Sequence, residues 1–340
     1  MFVMKVLSPP DPGPSPPASL QQLANEGKDR AMTMLFLAPK LKGDSWLKHI
    51  RNQDTGIDLR VWPEVGRAED VIFALCWQHP LGELKKYPNL KCIASLGFGV
   101  DHILRDPDLP AGVPVTRLVD PGMIAAMSEY VLAAVLNHTR QFDLYRLDQT
   151  QKKWAERIPK RPQDVRVGIM GMGHLGADAA LKLRALGFAV AGWSRTAKQV
   201  EGVRSFAGDF DLDPFLAQSD ILVCLLPLTP ATQGILNRRT LSTLPKGAYV
   251  VNAARGGHLV EEDLLEAIES GHLSGACLDV FRKEPLPESH PFWSHPQVTV
   301  TPHVASLTYP KAVAPQIVAN YRRVRSGEPP RHAVDTRRGY

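Results

Sequence analysis

An apolar run, a glycine turn and a helix follow one another without a gap across residues 165–188. "VRVGIM" is apolar and partly β-branched, "GMGHLG" comes next, and "ADAALKLRALGF" carries apolar residues at helical spacing. Nothing else in the chain constrains its fold as strongly. Glycines in this GxGxxG register belong to a βαβ unit that cradles the pyrophosphate of a dinucleotide. Gly171 permits the tight turn, Gly173 leaves room for the pyrophosphate, and Gly176 lets the helix lie close to the sheet. Met172, His174 and Leu175 complete the turn, and the helix start offers unpaired N–H groups to the phosphates.

The unit sits in a longer alternation. "FAVAGW", "ILVCLLP", "AYVVNAA", "GACLDVF" and "VTVTPHV" read as strands, with helical stretches such as "EEDLLEAIESG" between several of them. An earlier series, "TMLFLA" (33–38), "DLRVW", "DVIFALCW" and "LKCIASLGFGVDHI", alternates in the same way. Such alternation gives parallel sheets with helices on their faces. The expected fold class is therefore α/β, with two Rossmann-like lobes built on doubly wound parallel sheets. A chain of 340 residues suits two domains. "MSEYVLAAVLNHTRQFDLYRLDQTQKKW" reads as one long helix linking the lobes, and "YPKAVAPQIVANYRRVRSGE" as a further helix.

Residues 1–30 differ. "SPPDPGPSPPAS" is rich in proline and has no period, so a disordered tail is expected there. It lacks the basic start and apolar centre of a secretory signal. Met32 directly precedes the first strand and Met34 lies at its beginning, and a true start at one of them is the alternative expectation.

The net charge of +5 is spread along the chain without a basic run. That describes a solvated surface, so no nucleic-acid partner is expected; an anionic small ligand fits equally well. Cys76, Cys92, Cys224 and Cys277 form no CxxC pair, so neither a metal site nor a redox motif is expected. Most lie in apolar runs, as buried thiols of a reducing, cytoplasmic protein would. No apolar stretch approaches the ~18–20 residues of a membrane span.

The nucleotide can be read from the next strand end. NAD sites place an acidic residue there to hold the ribose hydroxyls. Here "VAGWSRT" puts Ser194, Arg195 and Thr196 at that corner. Losing the acid removes a repulsion against a 2′-phosphate, and Arg195 can pair with one. A charge-assisted hydrogen bond contributes ~1.5–3 kcal/mol. NADP(H) is the expected cofactor, with NAD(H) weaker.

Three more stretches carry polar residues at or just beyond strand ends. "AYVVNAARGG" ends at Arg255, "GACLDVFRKEP" carries Asp279 and Glu284, and "VTVTPHVAS" carries His303. Ligands of open α/β sheets bind at the carboxyl ends of strands, so all face one crevice. Singly each has an ordinary reading as a salt-bridging arginine, a loop carboxylate or a buried histidine. Together, downstream of the glycine turn, they carry weight.

These stretches resemble the D-isomer-specific 2-hydroxyacid dehydrogenase family. "GMGHLG", "LLPLTPAT", "VNAARGG", "LDVFRKEPLP" and "TPHVAS" occur in that family's order and spacing, from residue 33 to the C-terminal helix. "ALCWQHP", "LGFGVDHIL", "WSRT", "GVRSFAG" and "PFWSHP" are similar to its glyoxylate/hydroxypyruvate reductase A branch. The resemblance implies Arg255, Glu284 and His303 as a catalytic triad. It also implies cofactor contacts at Leu226, Pro227, Ala253, Ala254, Arg255, Asp279 and His303 besides the glycine turn. In a 2-oxo acid reduction Arg255 would bind the carboxylate and polarise the carbonyl. His303 would donate the proton, with Glu284 orienting its ring and favouring its charged form.

The loop "SLGFGVDHI" (95–103) resembles the family's loop under the substrate. Backbone N–H groups of Leu96 and Gly97 are expected to hold the substrate carboxylate, and Asp101 to fix the loop without touching substrate. Trp46 and Trp77 are candidates for lining a pocket sized for glyoxylate or hydroxypyruvate, whose products are glycolate and D-glycerate. Tyr309 departs from the family pattern near the expected pocket mouth. The family splits its substrate lobe between both ends of the chain. Residues 31–118 and 305–340 are expected to form that lobe, and 119–304 the cofactor lobe. The segment 121–154 resembles the family's dimer arm, which implies a homodimer. Alternatives are another D-2-hydroxyacid dehydrogenase, or a non-catalytic nucleotide-sensing interaction protein on the same fold.

Overall fold

A computed structural model of the protein describes residues 32–340. The tail expected over residues 1–30 lies outside them. Two parallel sheets organise the rest. The first contains β1 (Thr33–Leu37), β2 (Leu59–Val61), β3 (Val71–Cys76), β4 (Cys92–Ser95) and β5 (Val115–Thr116), in the order β2-β1-β3-β4-β5. The second contains β6 (Arg166–Met170), β7 (Ala189–Ser194), β8 (Arg204–Ala207), β9 (Ile221–Cys224), β10 (Ala248–Asn252), β11 (Leu273–Leu278) and β12 (Val298–Val300). Its order is β12-β11-β10-β9-β6-β7-β8. The direction of winding reverses between β6 and β9, and such a reversal opens a crevice at the carboxyl edge of the sheet.

Helices cover both faces, so the central strands are apolar without alternation. β1, β3 and β10 are buried at every position. The helix Pro310–Arg325 returns to the first sheet. Its Val313, Ile317, Val318 and Tyr321 join Met34, Phe36 and Phe73 in one hydrophobic cluster, and Tyr321 meets Phe73 edge-on at 6.0 Å between centroids. The core of the first sheet thus draws on segments far apart in the sequence. Among the described residues no helix is long and apolar enough to cross a membrane.

The structure differs from the sequence reading in several elements, among them β5, a two-residue strand that was not expected. The linking helix is two helices, Pro121–Thr139 and Phe142–Thr150. It begins six residues before the expected point because Pro121 suits a first turn and the Asp120 side chain accepts from the Met123 N–H at 3.1 Å. It breaks where Gln141 adopts a left-handed φ of 60°. β8 was not expected: it is an edge strand whose Arg204 and Ser205 are exposed, so it carries no apolar run.

Candidate active site

The glycine turn follows β6 at the reversal point. Gly171 has a φ of +104°, and a Cβ there would lie 2.6 Å from the Leu225 carbonyl oxygen. A Cβ on Gly176 would lie 2.0 Å from the Gly171 oxygen, so the helix rests directly on the turn. Around Gly173 the space is open: a Cβ would meet nothing within 4 Å. The Met172 side chain is buried against Gly192. The helix His174–Ala185 starts without a side-chain cap, which leaves its first N–H groups, Leu175 and Gly176 among them, facing the opening. Leu226 and Pro227 after β9, and Ala253 and Ala254 after β10, border the same edge. These are the features a dinucleotide pyrophosphate needs.

At the end of β7 the Ser194 hydroxyl donates to the Thr196 carbonyl at 2.9 Å, closing a tight corner. Arg195 projects from it, exposed. Among the described residues Arg195 has no carboxylate partner, so its donors remain available to an anion.

His303 and Glu284 form a hydrogen-bonded pair, Nδ1 to Oε2, at 2.8 Å. Nε2 is left as the ring nitrogen able to present a proton. The second Glu284 oxygen accepts from the Phe281 N–H at 3.0 Å. Burial alone would raise the Glu284 carboxyl. The hydrogen bonds from His303 and Phe281, with the charges of His303 and Arg255, outweigh burial and hold it below the usual glutamate range. His303 sits in the left-handed region, φ 56°, a conformation that must be held by its surroundings.

Asp279 supplies the hold. It is 1% exposed, and its carboxylate accepts from the Thr301 hydroxyl at 2.6 Å and from the Val304 and Ala305 N–H groups at 2.9 Å each. Its carbonyl takes the His303 N–H at 2.8 Å. Sequence reading placed Asp279 among the cofactor contacts; the structure shows it bracing the turn that carries His303.

Arg255 leaves β10 on a backbone tied to Asn252, whose amide donates to the Arg255 carbonyl at 3.0 Å and whose oxygen accepts from the Ala254 N–H. The guanidinium reaches the loop after β4. Its Nε donates to Asp101 Oδ1 at 3.0 Å, and a Cβ on Gly99 would lie 1.8 Å from Nη2. Asp101 therefore does more than fix its own loop. It grips the arginine 154 residues away, a pairing without a local sequence signal.

Two expectations about the loop need correction. The Leu96 N–H donates to the Cys76 carbonyl at 3.1 Å, extending the β3–β4 pairing, and the Gly97 N–H donates to Ser95 Oγ at 3.1 Å. Neither is free for a carboxylate. The N–H groups of Phe98 and Gly99, two residues on, have no partner among the described residues. Trp77 lies on this loop: a Cβ on Gly97 would come within 2.9 Å of its ring. Trp46 does not. It is 6% exposed, packed into the core with Phe36 and Ile50, and Trp77 only rests on that cluster. Tyr309 is 61% exposed, directly before the helix Pro310–Arg325.

Ser95 and His102 support the loop from below, and sequence reading missed both. Ser95 Oγ donates to the Gly99 carbonyl at 2.7 Å and lies 3.1 Å from His102 Nε2. The Gln78 N–H donates to His102 Nδ1 at 3.3 Å. Burial pushes His102 down to about 3, so the ring is neutral, with Nδ1 accepting and Nε2 donating. Trp77 packs on it at 4.6 Å between centroids.

The chain is similar in sequence and fold to known proteins. Residues 132–305 match the family described as D-isomer specific 2-hydroxyacid dehydrogenase, NAD binding domain. The chain is 45% identical over 314 residues to glyoxylate/hydroxypyruvate reductase A of Yersinia enterocolitica, covering 91% of this chain and 100% of that one. The Serratia proteamaculans protein of the same name is 44% identical with the same coverage. Among solved structures, a D-isomer specific 2-hydroxyacid dehydrogenase from Xanthobacter autotrophicus Py2, in complex with NADPH and MES, superposes with a TM-score of 0.86 at 43% identity, covering 91% and 100% of the two chains. An NADPH-dependent glyoxylate/hydroxypyruvate reductase from Sinorhizobium meliloti, in complex with NADP and sulfate, does so at 0.85 and 38%, covering 91% and 99%. By sequence and fold, the chain belongs to the D-isomer-specific 2-hydroxyacid dehydrogenase family.

Proposed function

We propose that this protein reduces small 2-oxo acids, glyoxylate and hydroxypyruvate, to glycolate and D-glycerate with NADPH. The observation that carries the proposal is a hydrogen-bonded His303–Glu284 pair, with Arg255 near enough for its charge to act on Glu284, beside a glycine turn whose neighbouring corner bears an arginine with no carboxylate partner among the described residues. The names of its relatives agree.

The residues fit the cofactor. Gly173 faces open space, the helix at His174 offers bare N–H groups, and Arg195 awaits a 2′-phosphate without a competing acid. Leu226, Pro227, Ala253, Ala254 and Thr196 border the same site. When bound, the reduced nicotinamide supplies a hydride. The protein's own groups do the rest. Arg255 binds the substrate carboxylate and polarises its carbonyl, while Asp101 and the Ala254 carbonyl, 2.7 Å from Nη1, fix the guanidinium. The Phe98 and Gly99 N–H groups add donors for the carboxylate. His303 Nε2 gives the proton to the new hydroxyl oxygen, and Glu284 keeps the ring turned to do so. Trp77 limits the room beside Gly97 and so favours short acids.

Residues 31–118 and 305–340 form the substrate domain in this reading, and 119–304 the nucleotide domain; their closure excludes water from the reacting atoms. A homodimer is supported by Phe142, Leu144, Leu147 and Trp154, which are all exposed along the arm. Four free, buried thiols suit the cytoplasm. Oxidation of NADPH on addition of glyoxylate, abolished by Arg255→Ala, tests the activity.

A further inference from the structure

Residues 332–340 run from one sheet to the other. The His332 carbonyl accepts from the Arg117 N–H at 3.2 Å, and the Val334 N–H donates to the Val115 carbonyl at 2.9 Å, so the segment extends the first sheet beyond β5. Asp335 then closes a turn. Its carbonyl accepts from the Arg338 and Gly339 N–H groups at 2.9 and 3.1 Å, and its carboxylate from the Arg337 N–H at 3.1 Å. Gly339 ends the turn with φ +83°, and a Cβ there would lie 2.9 Å from the Thr229 side chain, in the loop after β9. Both facts demand glycine. The next side chain, Tyr340, lies under the Arg195 guanidinium, 5.2 Å from ring centroid to carbon.

Arg195 needs such a partner. It is a long, exposed side chain, and freezing it to meet a phosphate costs rotamer entropy. A carboxylate could fix it, but would occupy its donors and cancel its charge. An aromatic face attracts the cation through the ring quadrupole and leaves all five in-plane N–H groups free. The same segment lies near the rest of the crevice. Arg117 stacks on Phe98 at 5.5 Å, and Phe98 meets the ring of His174, the first residue of the glycine-turn helix, at 6.5 Å.

We propose that Tyr340 is a positioning residue for nucleotide choice: its ring holds the Arg195 guanidinium flat with its donors free for a 2′-phosphate, and the turn 335–339 fixes that ring across the two sheets. The proposal rests on the reading of Arg195 as the phosphate reader, and the test separates the two. Steady-state constants for NADPH and NADH are measured for wild type, Tyr340→Phe, Tyr340→Ala, Gly339→Ala and Arg195→Ser. Binding of adenosine 2′,5′-bisphosphate and of adenosine 5′-monophosphate is measured by calorimetry, which needs no turnover. Removal of an exposed cation–π contact predicts that Tyr340→Ala raises KM for NADPH and Kd for the bisphosphate about two- to fivefold. KM for NADH, Kd for the monophosphate and kcat stay unchanged, and Tyr340→Phe behaves as wild type. Gly339→Ala keeps the ring but displaces it, and shows the same selective loss. Equal losses for both nucleotides, or no loss, overturn the role of Tyr340 while Arg195→Ser still erases the NADPH preference. An unchanged preference in Arg195→Ser overturns the reading of Arg195 itself, and Tyr340's role with it.

Discussion

Replacing Asp101 tests whether Arg255 is held by its partner or merely lies near it. The Nε–Oδ1 bond is 3.0 Å and both side chains are about three-quarters buried, at 24% and 23% exposure. A charge-assisted hydrogen bond contributes roughly 1.5–3 kcal/mol, and residual solvent access places this one at the low end. In Asp101→Ala the guanidinium keeps only its bond to the Ala254 carbonyl and can pivot about it. A displacement near 1 Å at a substrate clamp costs on the order of 100-fold, so kcat/KM for glyoxylate should fall about 10- to 100-fold. Asp101→Asn retains an oxygen that can accept from Nε, so its loss should be only a few-fold. NADPH binding, measured by titration, should be unchanged in both. A fully active Asp101→Ala enzyme would refute the clamp. Equal losses in Asn and Ala would refute the hydrogen bond as its basis and leave charge alone as the cause.

Three further outcomes follow from the geometry. Gly173→Ala should melt at the wild-type temperature but bind NADPH weakly, because its Cβ projects into the opening; Gly176→Ala should lower the melting temperature as well, because its Cβ meets the Gly171 carbonyl. His102 is neutral in the fold, held near pKa 3 by burial against about 6.5 unfolded. Between those values the unfolded chain takes up a proton that the folded chain refuses, so stability falls as pH drops through that window and is insensitive to His102 above it. Urea unfolding at pH 5.0 should show a deficit of about 2 kcal/mol relative to pH 7.5 from this residue, removed in His102→Gln. His138, stacked on Tyr249 and pushed down to about 4 by burial, acts in the same direction. Glu284 acts in the same direction on stability: its lowered carboxyl stabilises the fold above the unfolded glutamate range and that contribution is lost as pH falls through the folded one, so urea unfolding of Glu284→Gln should lose less stability on acidification than wild type, and an equal loss would contradict this.

What could be read from the sequence was local. Each glycine of the turn does its work through its own backbone and immediate neighbours, so spacing alone located Gly171, Gly173 and Gly176. Arg255, Glu284 and His303 were legible because strand ends in an open sheet point to one edge. The corner at Ser194 drew attention through an acid that is missing, and its role as a phosphate reader remains a proposal. What failed depended on contacts through space. Counting free N–H groups requires the β3–β4 register, which spends that of Leu96 on Cys76, so the donors fall at Phe98 and Gly99. Two tryptophans look alike in sequence, and only packing sends Trp46 to the core and Trp77 to the loop. Asp101 on Arg255, Asp279 under His303 and Tyr340 under Arg195 join residues 154, 24 and 145 positions apart. No period or motif marks such pairs.

The most direct test is the initial rate of NADPH and NADH oxidation, measured side by side with glyoxylate and with hydroxypyruvate. Turnover with a strong NADPH preference in kcat/KM, lost in Arg255→Ala, is the predicted result. Turnover that favours NADH would contradict Arg195 as the reader of the 2′-phosphate, and no turnover with either nucleotide would contradict the reductase itself.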